Sequence, residues 1–196
     1  MTALFEKCFH HKIQTRKIWK ISVEAVDKIK TNEVRDLLGV LVVQVEFDIN
    51  RFVKADVITK KQIALETLYR GVKTICDWMK WPEEPFKAAY DCIIEKGYRN
   101  EWTWGKAKWN KSRTKTAEIY CVHDVESFKM HVLIRDKKKK ELSRIVLVDD
   151  TPDEFVFSRY LGRIEWISDH EIGVIAKDQG SHWLVKLDDA NVLSMI

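Results

Sequence analysis

The feature that most constrains this chain is a change of hydrophobic period near its middle. Before Tyr98, apolar residues recur every three to four positions. After Thr116 they recur mostly every two. The first spacing lays an apolar stripe along a helix, and the second an apolar face on a strand. A helical half over residues 1–97 followed by an antiparallel β half over residues 117–196 predicts an α+β fold, because alternating α/β folds interleave the two periods. With 196 residues and 45% apolar composition, there is material for one core shared by both halves.

In the first half, Phe5, Phe9 and Ile13 sit at helical spacing. Ile18, Trp19, Val23, Val26 and Ile29 then predict a helix over Lys17 to Lys30. Thr31 or Asn32 is placed to cap a long helix from Glu33 to Val53. Its broad apolar face holds Val34, Leu37, Leu38, Leu41, Val42, Val45, Ile49, Phe52 and Val53. The β-branched run from Val40 to Val45 argues for a strand, the spacing over twenty residues for a helix, and the longer signal is followed. Thr59 and Gln62 form a capping box for a helix reaching about Lys80, which Trp81-Pro82 stops. Glu84-Pro85 starts a last helix, with Phe86, Tyr90, Ile93 and Ile94 inward and Gly97 at its end. The expectation is an N-terminal bundle of four or five helices.

In the second half, Ala117 to His123 and Ser127 to Arg135 read as strands. The latter places Phe128, Met130, Val132 and Ile134 on one face. Asp136 to Glu141 is a hairpin tip, and Leu142 to Val148 returns from it. Phe155 to Ser168 is one bent strand, or two joined near Gly162. Glu171 to Lys177 and His182 to Leu187 form a hairpin across Asp178-Gln179-Gly180. Such a row predicts an antiparallel sheet or a small barrel.

Between the halves lies a basic, Trp-rich junction, residues 98–116. It holds three of the eight tryptophans, Trp102, Trp104 and Trp109. Its cations are Arg99, Lys106, Lys108, Lys111, Arg113 and Lys115, against the single acid Glu101. Charge is sorted along the chain. Tyr98 to Val148 carries 13 basic and 6 acidic residues, a net of +7, and Asp149 to Ile196 carries 4 basic and 10 acidic, a net of −6.

Enzymatic signatures are weak. The cysteines, Cys8, Cys76, Cys92 and Cys121, form no CxxC pair. With no basic n-region and apolar h-region at the start, the expectation is reduced thiols in the cytoplasm. No apolar run approaches the roughly 20 residues of a membrane span. Cys121 with His123, and Cys8 with His10-His11, are incomplete as metal sites, so no metal and no cofactor are expected. Neither GxSxG, GxGxxG nor a phosphate-binding loop occurs. Asp149-Asp150 at a strand end would suit a metal-dependent nuclease, but a solvated acidic turn explains them more simply.

By elimination, the chain is expected to be a non-enzymatic binding module. Its character is similar to that of bacterial immunity proteins, which block a cognate toxin by occupying its surface. A basic toxin domain would meet the acidic residues Asp149, Asp150, Asp153, Glu154, Asp169 and Glu171. The alternative partner is single-stranded nucleic acid at Trp102, Trp104, Lys106, Lys108, Trp109, Lys111 and Arg113. There, bases would stack on rings while cations meet phosphates.

Overall fold

The computed structural model describes residues 1–15, 17–31 and 33–187, together with the backbone of 191–195. Asn32, one of the two residues expected to cap a helix, lies outside the described residues. The chain divides into two compact units, Met1–Tyr98 and Arg99–Ile196. Among the described residues no helix is long and apolar enough to cross a membrane.

The first unit is not a helical bundle. It contains α1 (Thr2–Cys8), β1 (Lys20–Val26), β2 (Arg35–Leu37), β3 (Val40–Glu46), α2 (Ile49–Lys54), α3 (Val57–Met79) and α4 (Glu84–Glu95). The helices expected over 17–30 and 33–53 are therefore replaced by β1, β2, β3 and the short α2. β3 is the middle strand of a three-stranded sheet, parallel to β1 and antiparallel to β2. Leu41, Val42, Val43 and Val45 are all buried. A strand buried on both faces is apolar at every position, so it satisfies a helical spacing as readily as its own. The decisive local signal is Leu38-Gly39, whose φ angles of 55° and 88° make the two-residue turn between β2 and β3.

The other two helices fall close to expectation. Asp56 caps α3 by accepting from Thr59 N at 2.8 Å, so the cap lies three residues before the expected capping box. Gly71 lets α3 approach β1 closely, since a Cβ there would stand 2.6 Å from Val23 Cγ1. One buried cluster joins α3 to the sheet through Ile75, Leu41 and Val43. A second joins α1, α3 and α4 through Leu4, Phe5, Val72, Phe86 and Ile93.

The second unit consists of two antiparallel four-stranded sheets. The first is a meander of β4 (Glu101–Trp109), β5 (Lys115–His123), β6 (Phe128–Asp136) and β7 (Glu141–Asp150). After α5 (Glu154–Phe157) and a 3-10 turn come β8 (Arg163–Trp166), β9 (Glu171–Ile175), β10 (His182–Lys186) and β11 (Asn191–Met195). The segment 155–168 is thus half helical, not a bent strand: Asp153 accepts from Phe155 N at 2.8 Å and starts a turn of helix. The two sheets share one core, with Ile119, Phe128, Met130 and Val132 facing Ile164, Ile172, Val174 and Val185. Phe157 stacks on Phe128 at 3.8 Å between ring centroids. Neither sheet closes into a barrel. The single core expected for both halves gives way to clusters that each lie within one unit.

Candidate nucleic-acid interface

The stretch expected to be a junction is mostly a strand. β4 is an edge strand pairing only with β5. Trp104 pairs with Ile119 and Lys108 with Ala117, so three residues oppose one in a bulge. Gly105, at φ +74°, supplies its left-handed position.

The three tryptophans have different fates. Trp102 lies across from Cys121, with its ring 6.2 Å from Phe128 and 6.5 Å from Phe157, and belongs to the core edge. Trp104 donates its indole N–H to the Gly162 carbonyl at 3.1 Å. From the opposite side, Trp166 donates to the Lys108 carbonyl at 2.8 Å. These two bonds tie the edge of the first sheet to β8 of the second. Trp109 is the most open of the three, with half of its surface (51%) exposed against 38% for Trp104.

Around Trp109 runs a shallow groove of about 330 Å³, lined by Lys108, Lys111, Arg163, Ile164, Glu165 and Trp166. Its rim is rigid. Buried Asn110 accepts from the N–H groups of Thr114 and Lys115 at 2.8 and 3.0 Å. Its amide donates to Ser112 Oγ and Thr114 Oγ1. The turn presenting Lys111 and Arg113 is therefore fixed by four hydrogen bonds from one side chain. Ser112 N–H further donates to Asp169 at 2.9 Å.

Topology brings more cations to this end. Lys115 pairs with Asp136, so the β4–β5 and β6–β7 turns lie at the same end of the first sheet. The second turn carries Lys137 to Lys140 and is ordered by Asp136, which accepts from the N–H groups of Lys138 and Lys140 at 2.8 and 2.9 Å. Among the described residues, Lys106, Lys108, Lys111, Arg113 and Arg163 form no ion pair.

The predicted acidic residues do not form one surface. Asp149 and Asp150, the last two residues of β7, and Asp153 and Glu154 just after them lie at the opposite end of that sheet. Asp169 lies at the basic end, against Ser112. Glu171 pairs with Lys186 at 3.8 Å. At that opposite end, Asp149 meets Lys129 at 3.3 Å, and Asp153 caps α5. Glu154 lies 3.9 Å from His123. Asp150 accepts from Tyr160 Oη at 2.7 Å and lies 3.6 Å from Arg159. The Tyr160 bond, then the Thr151 N–H and the Arg159 charge, hold its carboxyl below the usual carboxylate range. Asp169 is lowered too, chiefly by the Ser112 N–H.

The Cys/His candidates also serve the fold. Cys121 is fully buried. The His123 ring lies 2.9 Å from the Pro152 carbonyl and 3.2 Å from Asn100 Nδ2. Burial holds His131 below its ordinary pKa. Among the described residues no three His, Cys, Asp or Glu side chains converge as a metal site would require. The first unit has a cleft of about 530 Å³ at the carboxyl ends of β1 and β3. Its lining mixes both signs, among them Asp27, Glu46, Arg51 and Arg70.

Arg163 and Trp166 lie outside the sequence prediction, because they reach the groove only through the pairing of two sheet edges. Phe155, 95% exposed at the acidic end, was likewise unmarked by any periodic signal. No family model matches the chain, and neither the curated proteins nor the solved structures yield a match.

Proposed function

We propose that this chain is a binding module whose second unit holds single-stranded nucleic acid along the β4–β8 groove. The carrying observation is a half-exposed Trp109 ringed by Lys108, Lys111 and Arg163, which form no ion pair among the described residues, although Glu165 shares the groove and Asp169 feels the charge of Lys111. An open indole offers a stacking face to any base, and unpaired cations release counterions on meeting phosphates. The fixed Asn110 turn lowers the ordering cost of binding. The test is a tryptophan-fluorescence titration with mixed-sequence single-stranded RNA and DNA, at low and near-physiological salt. Quenching that weakens steeply as salt rises supports the reading. No quenching at low salt overturns it.

A second reading is a protein-binding module of the immunity type, using the acidic end. It is favoured by Phe155, an almost fully exposed aromatic beside Asp153 and Glu154. Aromatic anchors ringed by charge are common in protein interfaces. Asp150 and Asp153 hold local structure, so the informative variant is Asp149→Lys with Phe155→Ala. Slower association with a basic protein partner supports this reading, and unchanged association removes it.

A further inference from the structure

Three exposed apolar residues of the first unit meet at one end of its sheet. Leu37 pairs with Val40 across the Leu38-Gly39 turn, and Val40 pairs with Lys20 of β1. The turn and the residues just before β1 therefore share that end. Leu38 is 98% exposed, Trp19 71%, and Leu37 more than half. Scattered surface leucines need no explanation. Leu38 does, because it also holds a φ of +55°. A two-residue turn of this kind favours asparagine at its first position, and a bulky aliphatic there is strained. One residue thus carries both backbone strain and an apolar side chain in water, and it gains no buried contact for the fold.

The tip is also built to leave water. The Leu38 carbonyl accepts from Trp19 Nε1 at 3.2 Å. Gly39 N–H donates to Asp36 Oδ1 at 2.8 Å, and the Gly39 carbonyl accepts from Trp19 N–H at 3.0 Å. Three of the four backbone polar groups of the turn are paired within the protein, which removes most of the cost of taking them into an apolar medium. The indole bond also fixes Trp19 beside the turn. Lys17 and Lys20 flank Trp19, are exposed, and form no ion pair among the described residues. The nearest acids are engaged, Asp36 with the Gly39 N–H and Glu24 with Arg35 at 3.0 Å.

We propose that this tip is a peripheral docking site for the surface of an anionic lipid bilayer. Leu38 and Leu37 enter the acyl boundary, Trp19 lies at the level of the headgroups, and Lys17 and Lys20 meet lipid phosphates. The contact is with one leaflet and needs no spanning segment. A nucleic acid would use the indole and the lysines but has no use for a strained aliphatic side chain. A bilayer uses all three. Two leucines and one indole give a weak, reversible attachment, which the lysines strengthen where the lipid is anionic.

The experiment is co-sedimentation of the full chain with vesicles of phosphatidylcholine, alone and mixed with phosphatidylglycerol, with thermal melting of each variant. The parent chain should partition about tenfold more strongly onto the anionic vesicles. Leu38→Asn should weaken that partitioning about tenfold. Its melting temperature should hold or rise, because asparagine suits the turn. If that variant melts lower, Lys17→Glu with Lys20→Glu decides, since it spares the turn and should remove the preference for anionic lipid. Lys108→Ala with Lys111→Ala and Arg163→Ala, in the second unit, should keep the attachment. No sedimentation of the parent with anionic vesicles at low salt would overturn the site. So would attachment that ignores Leu38→Asn, attachment lost with the second-unit cations, or a Leu38-dependent association with protein or nucleic acid in place of vesicles.

Discussion

The two ends of the β4–β7 sheet carry opposite charge, but they differ in more than sign. At the acidic end each carboxylate is engaged: Asp149 with Lys129, Asp150 with Tyr160 and Arg159, Asp153 with the start of α5, Glu154 near His123. At the basic end the groove cations form no ion pair among the described residues, and Lys111 meets Asp169 only through its charge at longer range. Net charges of +7 and −6 along the sequence therefore overstate the likeness of the two poles. A paired charge must give up its partner before it can serve a ligand, and that loss offsets much of what the new contact contributes. An unpaired cation gives up only water and counterions.

The sharpest break of this comparison is mechanical. Gly162 accepts the Trp104 indole and packs so tightly that a Cβ would stand 1.9 Å from the Ile175 carbonyl oxygen. Gly162→Ala must therefore displace backbone. It should destabilise the second unit by about 3 kcal/mol or more, read by urea denaturation, and should abolish the groove. A loss below about 1 kcal/mol would mean the two sheet edges are not locked there.

Next in size is removal of the free cations. Lys108→Ala with Lys111→Ala and Arg163→Ala should weaken single-stranded nucleic-acid binding about 100-fold and lower the log–log salt slope by about two. Asp149→Lys should leave that affinity nearly unchanged. Nine strand residues separate the ends by about 30 Å, roughly three Debye lengths at 0.1 M salt. If Asp149→Lys strengthened binding as much as the triple variant weakened it, the ends would act as one field and not as two sites.

The tryptophans separate packing from binding at smaller amplitude. Trp109→Ala should weaken binding about tenfold through lost stacking and leave stability within about 0.5 kcal/mol. Trp102→Ala should do the reverse, costing about 2–3 kcal/mol of stability. Equal effects of the two on affinity would return Trp109 to the role of a packing residue.

What the sequence disclosed follows from which signals are local. Phe128, Met130, Val132 and Ile134 alternate because one face of β6 is core, and all four are buried as read. α3 and α4 were legible because each buries one stripe and ends at a strong stop, Lys80 before Trp81-Pro82 and Gly97 after α4. β3 was misread because burial on both faces erases its period, and the 20-residue apolar stripe crossed a turn at Leu38-Gly39. The groove was half legible. Trp109, Lys108 and Lys111 are neighbours in sequence, whereas Arg163 and Trp166 arrive through contacts 58 residues apart in sequence, such as that of Trp166 with Lys108. No local pattern encodes such a meeting, and none marks a carboxylate as already engaged.

The finest test of the comparison is the pH dependence of Asp150, because it reads directly whether an acidic-end carboxylate is engaged. Its folded pKa lies below its ordinary value, with the Tyr160 hydroxyl as the leading cause. A depressed carboxyl contributes stability that is fully present above its unfolded value, near pH 4. That contribution is lost as pH falls through the lower folded value. The melting temperature of the parent chain should therefore drop in acid below about pH 4, and Asp150→Asn should drop less over the same interval. Asp169→Asn should behave with the same sign, because the Ser112 N–H lowers that carboxyl at the basic end. Both are held first by a neutral donor, and each owes a lesser share to nearby charge, Arg159 for Asp150 and His170 with Lys111 for Asp169. Salt should therefore screen only that lesser share in each. If Asp150→Asn tracks the parent through the acid range, Asp150 is free for a partner, and the acidic end regains its claim as the binding surface.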